Sequence, residues 1–372
     1  MVLYIANRSE HDVGSVTHYQ ALKEIYGEGN VFVIDLRPIE SRRDNNYIAY
    51  GKYPTNFERI KRWMQGNTMF ISNSIINELC EIIEARKIDL VFSEESTLGN
   101  LMKKIKKKYP NVKIVCFYHD IAADLYRQWM KKDNIIGKIE HYIGIKQEKL
   151  NQKYCDMNLV FHKSDDERFK KYYGKHADYR IPLASPIPKI EECALKPITN
   201  EMKKKKVILF VGSSYFPNIV GIRWFYQNVL PEIKGNFQLN IVGRGTEFLK
   251  DEFLDERVSV IGYVDSLMPY YTQADIFIAP IFDGGGMKVK SIEAISYGKV
   301  FVGTPESLHG FWEELGKVQE KLVFQCNTSA EWIEVLDQLL EGETKHFNSE
   351  IYDIFVRKFS YETLLDTLRK II

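Results

Sequence analysis

The feature that most limits the fold of this 372-residue chain is a repeated alternation of short apolar runs with stretches of helical period. In the first half the runs are MVLYIA (1–6), NVFVIDL (30–36), IDLVFS (88–93), VKIVCFY (112–118) and DMNLVFH (156–162). In the second half they are KVILFVG (206–212), FQLNIVG (237–243), RVSVIGY (257–263), ADIFIAP (274–280) and KVFVGTP (299–305). Each is continuously apolar rather than alternating, the pattern of parallel strands covered on both faces. Helical stretches such as VTHYQALKEIYG and SIINELCEIIEARK lie between them. Two such sets predict an α/β chain with two Rossmann-like, doubly wound parallel sheets.

The length suits about two domains. The join is expected in IPLASPIPKIEECALKPITNEMKKKK (181–206), which has four prolines and no clear period. The expected organisation is an N-terminal domain over 1–186, a linker over 187–205 and a C-terminal domain over 206–350. A helical segment over 351–372 is expected to pack back toward the N-terminal domain, with Ser360 as N-cap of its last helix. A net charge of +1 gives no global argument for nucleic acid. Five cysteines without CxxC spacing read as reduced, buried thiols of a cytoplasmic protein. No run of about 18 apolar residues is present, so no membrane span is expected.

Ligands of open parallel sheets bind beyond the carboxyl ends of the strands, so the loops after strands carry the chemistry. FVGSSYFPN (210–218) leaves a strand through Gly212 and Ser213 and reads either as a phosphate-approach loop or as an ordinary strand-to-helix turn, with Asn218 as N-cap of the next helix. IVGRGTEF (241–248) is a second loop of this kind; its Arg244 meets a phosphate or faces solvent. The third, DGGGMKVKSIEA (283–294), sets Gly284, Gly285 and Gly286 before a helix and places Lys288 and Lys290 in the first turns. Lysines there oppose the positive end of the helix dipole, so a strongly negative ligand is expected at that helix start. Glu293, roughly two turns in, is placed to accept hydrogen bonds from a ribose diol or to pair with Lys290.

The stretch GGGxKxKxxEAxxxGK (284–299), followed by a strand ending in Thr-Pro, resembles family 4 of the retaining, nucleotide-sugar-dependent glycosyltransferases of the GT-B fold, in its glycine-rich-loop subgroup. GSxxxPN (212–218), GYVDSLMPYYTQADIFIAPI (262–281), FYHDI (117–121) and KYCDMNLVFHKSDDERFKKYYG (153–174) are similar to the same family. The resemblance implies two Rossmann-like domains facing a cleft and transfer of a sugar with retention to a glycan or glycolipid acceptor. It implies that Glu293 holds the ribose, and that Lys288, Gly284, Gly285, Gly286, Gly212 and Ser213 surround the diphosphate. Met287 and Lys290 fall in the same donor loop, and the backbone near Tyr263 and Val264 is expected to meet the base. For the first domain the resemblance implies that His119 contacts the donor sugar or its phosphate, that Asp120 helps bind the acceptor, and that Gly14 borders the diphosphate and acceptor. His119, Asp120 and Lys288 are therefore the expected catalytic residues. Many members carry a glutamate where this chain has Gly285, so contact to the transferred sugar is expected from loop amides.

No Asp-x-Asp triplet, HExxH, zinc spacing, Walker lysine or GxSxG occurs. A metal-independent reaction with no resident cofactor is expected, a nucleotide diphosphate sugar, UDP-sugar favoured, serving as co-substrate. No first-domain carboxylate stands out as a covalent nucleophile. LMKKIKKKYP (101–110), with five lysines and no acid, reads either as a solvated helix face or as a site of contact with anionic lipid, and YRQWMKK (126–132) adds to the latter. A nucleotide-sugar 2-epimerase and a non-catalytic GT-B partner subunit remain alternatives. Base, sugar, acceptor and oligomeric state are not encoded in these patterns.

Overall fold

The computed structural model describes residues 1–10, 13–37, 40–51, 54–123, 135–189, 205–284 and 286–372. Most of the expected linker, the YRQWMKK segment and Gly285 lie outside the described residues. The chain forms two compact units, Met1–Pro182 with Leu364–Ile372, and Leu183–Thr363.

The first unit is built on β1 (Val2–Ala6), β2 (Val31–Asp35), β3 (Arg42–Asp44), β4 (Tyr47–Ala49), β5 (Leu90–Ser93), β6 (Lys113–Tyr118), β7 (Met157–Val160) and β8 (Tyr179–Arg180). Among the described residues its helices are α1 (Val13–Tyr26), α2 (Asn56–Met64), α3 (Asn73–Ala85), α4 (Gly99–Lys108), α5 (Ile135–Tyr154) and α6 (Lys163–Tyr173). The sheet order is β3-β4-β2-β1-β5-β6-β7-β8, parallel except for the β3–β4 hairpin. Leu3, Ile5, Phe32, Ile34, Val91 and Ile114 fill its core with Leu101 and Ile105 of α4. Each such side chain contributes roughly 1.5–3 kcal/mol when fully buried. Near the chain end, Lys113 Nζ donates to the Ile371 carbonyl at 2.7 Å.

The second unit contains β9 (Lys206–Val211), α7 (Phe216–Asn228), β10 (Phe237–Val242), β11 (Val258–Gly262), α8 (Met268–Gln273), β12 (Ile276–Ala279), α9 (Val289–Ser296), β13 (Val300–Gly303), α10 (Trp312–Leu315), β14 (Val323–Gln325), α11 (Ser329–Glu341) and α12 (Ser349–Lys358). The last helix, α13 (Tyr361–Ile371), begins there. Ser360 Oγ accepts the Thr363 amide at 3.2 Å, the bond of an N-cap. All strands of the second sheet are parallel, in the order β11-β10-β9-β12-β13-β14. Ile208, Phe210, Ile241, Phe277 and Val302 are fully buried, and Phe225 of α7 packs on Trp332 of α11 with ring centroids 5.6 Å apart.

All ten apolar runs are strands. The hairpin of β3 and β4 and the short β8 and β14 add to them. Arg42, Arg43 and Asp44 are all exposed at the sheet edge, so that strand never needed an apolar run. Cys80, Cys116, Cys155 and Cys326 are buried free thiols, while Cys193 lies outside the described residues.

Candidate active site

In the second sheet the strand order reverses between β9 and β12, and the loops leaving these two strands flank the switch point. The loop after β9 carries Gly212 and Ser213, whose carbonyl accepts from Asn218 Nδ2 at 3.0 Å. Asn218 is not the N-cap expected for it: α7 starts at Phe216, with Tyr215 as cap and Pro217 in the first turn. Proline has a helical φ and lacks the amide hydrogen that would go unpaired there, so it sets the start three residues earlier. This leaves the Asn218 side chain inside the first turn, where its Oδ1 accepts from Lys290 Nζ.

The loop after β12 passes through Gly284 at φ 133° and Gly286 at φ 65°, values only glycine adopts without strain. Helix α9 then starts at Val289, so Lys288 is its N-cap and Lys290 its second residue. Glu293 is thus the fifth helical residue, little more than one turn in rather than two. Lys288 Nζ donates to the Gly286 carbonyl at 2.9 Å and to Glu306 Oε1 at 2.6 Å. The Glu306 carboxylate therefore offsets the unfavourable charge at the helix start. Burial and the neighbouring Lys288 charge lower the Lys290 ammonium to about 8, against an opposing pull from Glu293. Burial raises the Glu293 carboxyl, offset in part by the Tyr271 hydroxyl and Lys290. Its hydrogen-bond partner is Tyr271, at 3.1 Å, rather than Lys290.

Other donor-loop residues are more dispersed. The Ser214 amide donates to the Arg244 carbonyl at 2.9 Å, joining the loops after β9 and β10. The Arg244 guanidinium lies 5.1 Å over the half-exposed ring of Tyr263. The Tyr263 amide already donates to Glu247 Oε1 at 2.9 Å, so a base stacking here would meet the ring rather than that N–H. Val264 is half-buried beside it, and Met287 Sδ accepts from the Leu183 amide at 3.4 Å.

The first unit has its own switch point, between β1 and β5. A cavity of about 290 Å3 opens there, lined by Asn7, Arg37, Glu94, Glu95, His119 and Asp120 among others. His119 follows β6, and its Nε2 lies 2.5 Å from Glu94 Oε2. Glu94 Oε1 lies 2.9 Å from His18 Nδ1 and accepts from the Tyr4 hydroxyl at 2.9 Å. Burial alone would raise the Glu94 carboxyl, but His18 and His119 outweigh it and hold it far below the usual carboxylate range. Glu95 accepts from Asn7, Arg37 and Thr97 at 2.8, 2.9 and 2.6 Å. Gly14 packs directly on the His119 ring: a Cβ there would stand 2.9 Å from His119 Cε1.

Glu94, Glu95, Arg37, Asn7 and His18 were not among the residues expected in the site. The available signal was the pair of acids in VFSEEST, directly after the strand that turns out to flank the switch point. His18, Glu94 and His119 present ligating atoms within 4.8 Å of one another, a donor set able to hold a metal ion. Here each imidazole engages a different carboxylate oxygen.

Residues 205–342 match the family model for glycosyl transferases group 1. A Klebsiella pneumoniae protein described as an uncharacterized 44.6 kDa protein in the cps region is 26% identical over 246 residues, 61% of this chain and 60% of the relative. The lipopolysaccharide outer core galactosyltransferase WaaB superposes with a TM-score of 0.69 at 13% identity, covering 99% of this chain and 98% of that one. Anabaena Alr3699/HepE in complex with UDP and glucose gives a TM-score of 0.64 at 10% identity, covering 99% and 98%. The chain has the two-domain parallel-sheet architecture of GT-B glycosyltransferases, with a glycosyl transferases group 1 match over residues 205–342 of its second unit.

Proposed function

We propose that the protein is a glycosyltransferase of family 4 that moves a sugar, with retention, from a UDP-sugar to a glycan or lipid-linked glycan in surface polysaccharide synthesis. The observation that carries this reading is the convergence of Lys288, Lys290 and Glu293 with the Gly212–Ser213 loop at the switch point of a sheet inside the matched segment. The similarity in fold to Anabaena Alr3699/HepE, a protein seen in complex with UDP and glucose, supports the donor class. The cps region named for the Klebsiella relative supports the polysaccharide setting.

In this mechanism the diphosphate lies at the start of α9, held by amides of the glycine loop and by Lys288, which exchanges Glu306 for phosphate. Lys290 adds charge and Glu293 accepts from the ribose hydroxyls. The bond from the anomeric carbon to phosphate breaks, and the bond to the acceptor oxygen forms on the same face. The acceptor proton passes to the departing phosphate oxygen. Lysines and helix amides stabilise the leaving group, the role a cation plays elsewhere, so no metal is required. His119 orients the donor and Asp120 the acceptor hydroxyl. The reaction takes place in the cytoplasm.

A thermal-shift panel of UDP, GDP, ADP, TDP and CMP, with and without magnesium, tests this reading. A shift with UDP that is indifferent to magnesium is expected, and no shift with any nucleotide overturns the assignment. Comparison with 2′-deoxy-UDP tests Glu293. A hydrogen bond to a charged group contributes about 1.5–3 kcal/mol, so UDP should bind at least tenfold more tightly than its deoxy analogue. Glu293→Ala should abolish that preference.

A further inference from the structure

A surface helix ordinarily turns its apolar stripe to the core and its charges to water. Helix α2, NFERIKRWM, does the reverse. Two of its three cations and its tryptophan turn toward the protein, Lys61 staying exposed: Arg62 donates to the Met69 carbonyl, Trp63 Nε1 donates to Glu140 Oε1 at 2.6 Å, and Arg59 is half-buried. Phe57, Ile60 and Met64, spaced as one helical row, are 77%, 51% and 85% exposed. No residue of this helix is buried. The helix is nevertheless held in place, by a capping box of Thr55 and Glu58 at its start and by the Trp63–Glu140 bond near its end. An apolar row fixed outward in this way marks an interaction surface.

Directly after Met64 the chain enters a groove of about 680 Å3 between α3 and α4, lined by Gln65 together with Lys103, Lys104, Lys107 and Lys108. Lys104 donates to Asn77 Oδ1, and Lys108 pairs with Glu84 at 2.8 Å. Lys103 and Lys107 have no carboxylate partner among the described residues. The apolar row therefore ends one residue before the wall of a groove that carries uncompensated cations.

We propose that α2 and the lysine groove of α4 form a docking surface for an anionic phospholipid bilayer. Phe57, Ile60 and Met64 enter the boundary between headgroups and acyl chains, and Lys103 and Lys107 take headgroup phosphates. The extent of the patch favours a bilayer over a second copy of the chain. Three side chains of this size expose on the order of 400 Å2, so two copies facing one another would bury about 800 Å2, whereas a stable protein interface buries about 1,200 Å2 in total or more. Shallow insertion combined with charge attraction needs far less. This surface is separate from the nucleotide loops and does not depend on the glycosyltransferase reading.

The test is flotation of the full-length protein with vesicles of phosphatidylcholine alone or with about one-third phosphatidylglycerol. The protein should float with the anionic vesicles, with at least tenfold less bound to neutral ones or at high salt. Phe57→Ser with Met64→Ser, and separately Lys103→Glu with Lys107→Glu, should each lower bound protein at least tenfold while leaving the thermal unfolding midpoint unchanged. Three results overturn the proposal. The wild type fails to float with anionic vesicles, or both double variants float as well as it does. Alternatively, light scattering shows a dimer that the Phe57/Met64 variant dissolves, without vesicle binding, and the row is then covered by a second copy.

Discussion

His119 Nε2 stands 2.5 Å from Glu94 Oε2, while the other oxygen of the same carboxylate stands 2.9 Å from His18 Nδ1. Glu94 is fully buried, and a buried carboxylate persists only with close hydrogen-bonding or charged partners. The bond fixes the ring of His119 beside the cavity, so in the proposed reaction Glu94 would act by positioning that imidazole. Glu94→Gln keeps the shape and removes the charge. Turnover should fall at least tenfold while UDP affinity stays within about twofold, read from steady-state kinetics beside a binding titration. Equal loss in both quantities would place Glu94 in a purely structural role.

Glu148 of α5 supports the same loop from behind. Its Oε1 accepts from Ser96 at 2.6 Å and from the Ala122 amide at 3.0 Å, three residues past His119. Burial pushes its carboxyl up to about 7, from an ordinary value of 4.5, against hydrogen bonds from Ser96, Tyr173 and Ala122. Between those values the unfolded chain loses the proton before the folded one does. Rising pH therefore costs the wild type stability, up to about 3 kcal/mol by pH 8. Glu148→Gln lacks this dependence, so its unfolding free energy relative to wild type should rise by that amount from pH 4.5 to 8 in urea titrations.

Lys290, lowered to about 8 by burial and by Lys288, predicts the pH dependence of donor binding. The charged form binds a diphosphate, so UDP affinity should hold below that pH and weaken above it, by at most tenfold per pH unit. Titration calorimetry from pH 7 to 9.5 reads the slope directly. Lys290→Met should bind more weakly throughout and show no slope in this window.

Gly221 of α7 tests how the donor loop is held. A Cβ at this position would lie 1.7 Å from the Pro280 carbonyl oxygen, at the start of the segment leading to Lys288. Backbone cannot give way as a side chain does, so Gly221→Ala forces α7 away from the sheet and pulls Asn218 from Lys290. Chemical denaturation should show a loss of about 1–3 kcal/mol. UDP affinity should fall with it.

The ten sheet-forming runs were legible because strands buried on both faces must be apolar along their length, whatever lies beside them. The lysines and the glutamate of 283–294 were legible for a related reason: three glycines and two lysines at a helix start contradict local propensity. The partners were not. Asn218 and Lys290 are 72 positions apart, and His18 and Glu94 76 apart, with no pattern linking them. The start of α7 was misplaced because Pro217 outweighed the capping preference of Asn218.

The sequence by itself determined two doubly wound sheets and singled out the glycine-bearing loops that are proposed to face a phosphate, since periodicity and backbone freedom are local properties. Only the tertiary structure decided that Glu94, rather than a residue near His119 in the chain, holds that imidazole, and that Glu306 offsets Lys288. It also decided that α2 turns its apolar row outward. These outcomes depend on the order in which strands pair and on which helix face finds partners, and burial of the whole chain fixes both at once.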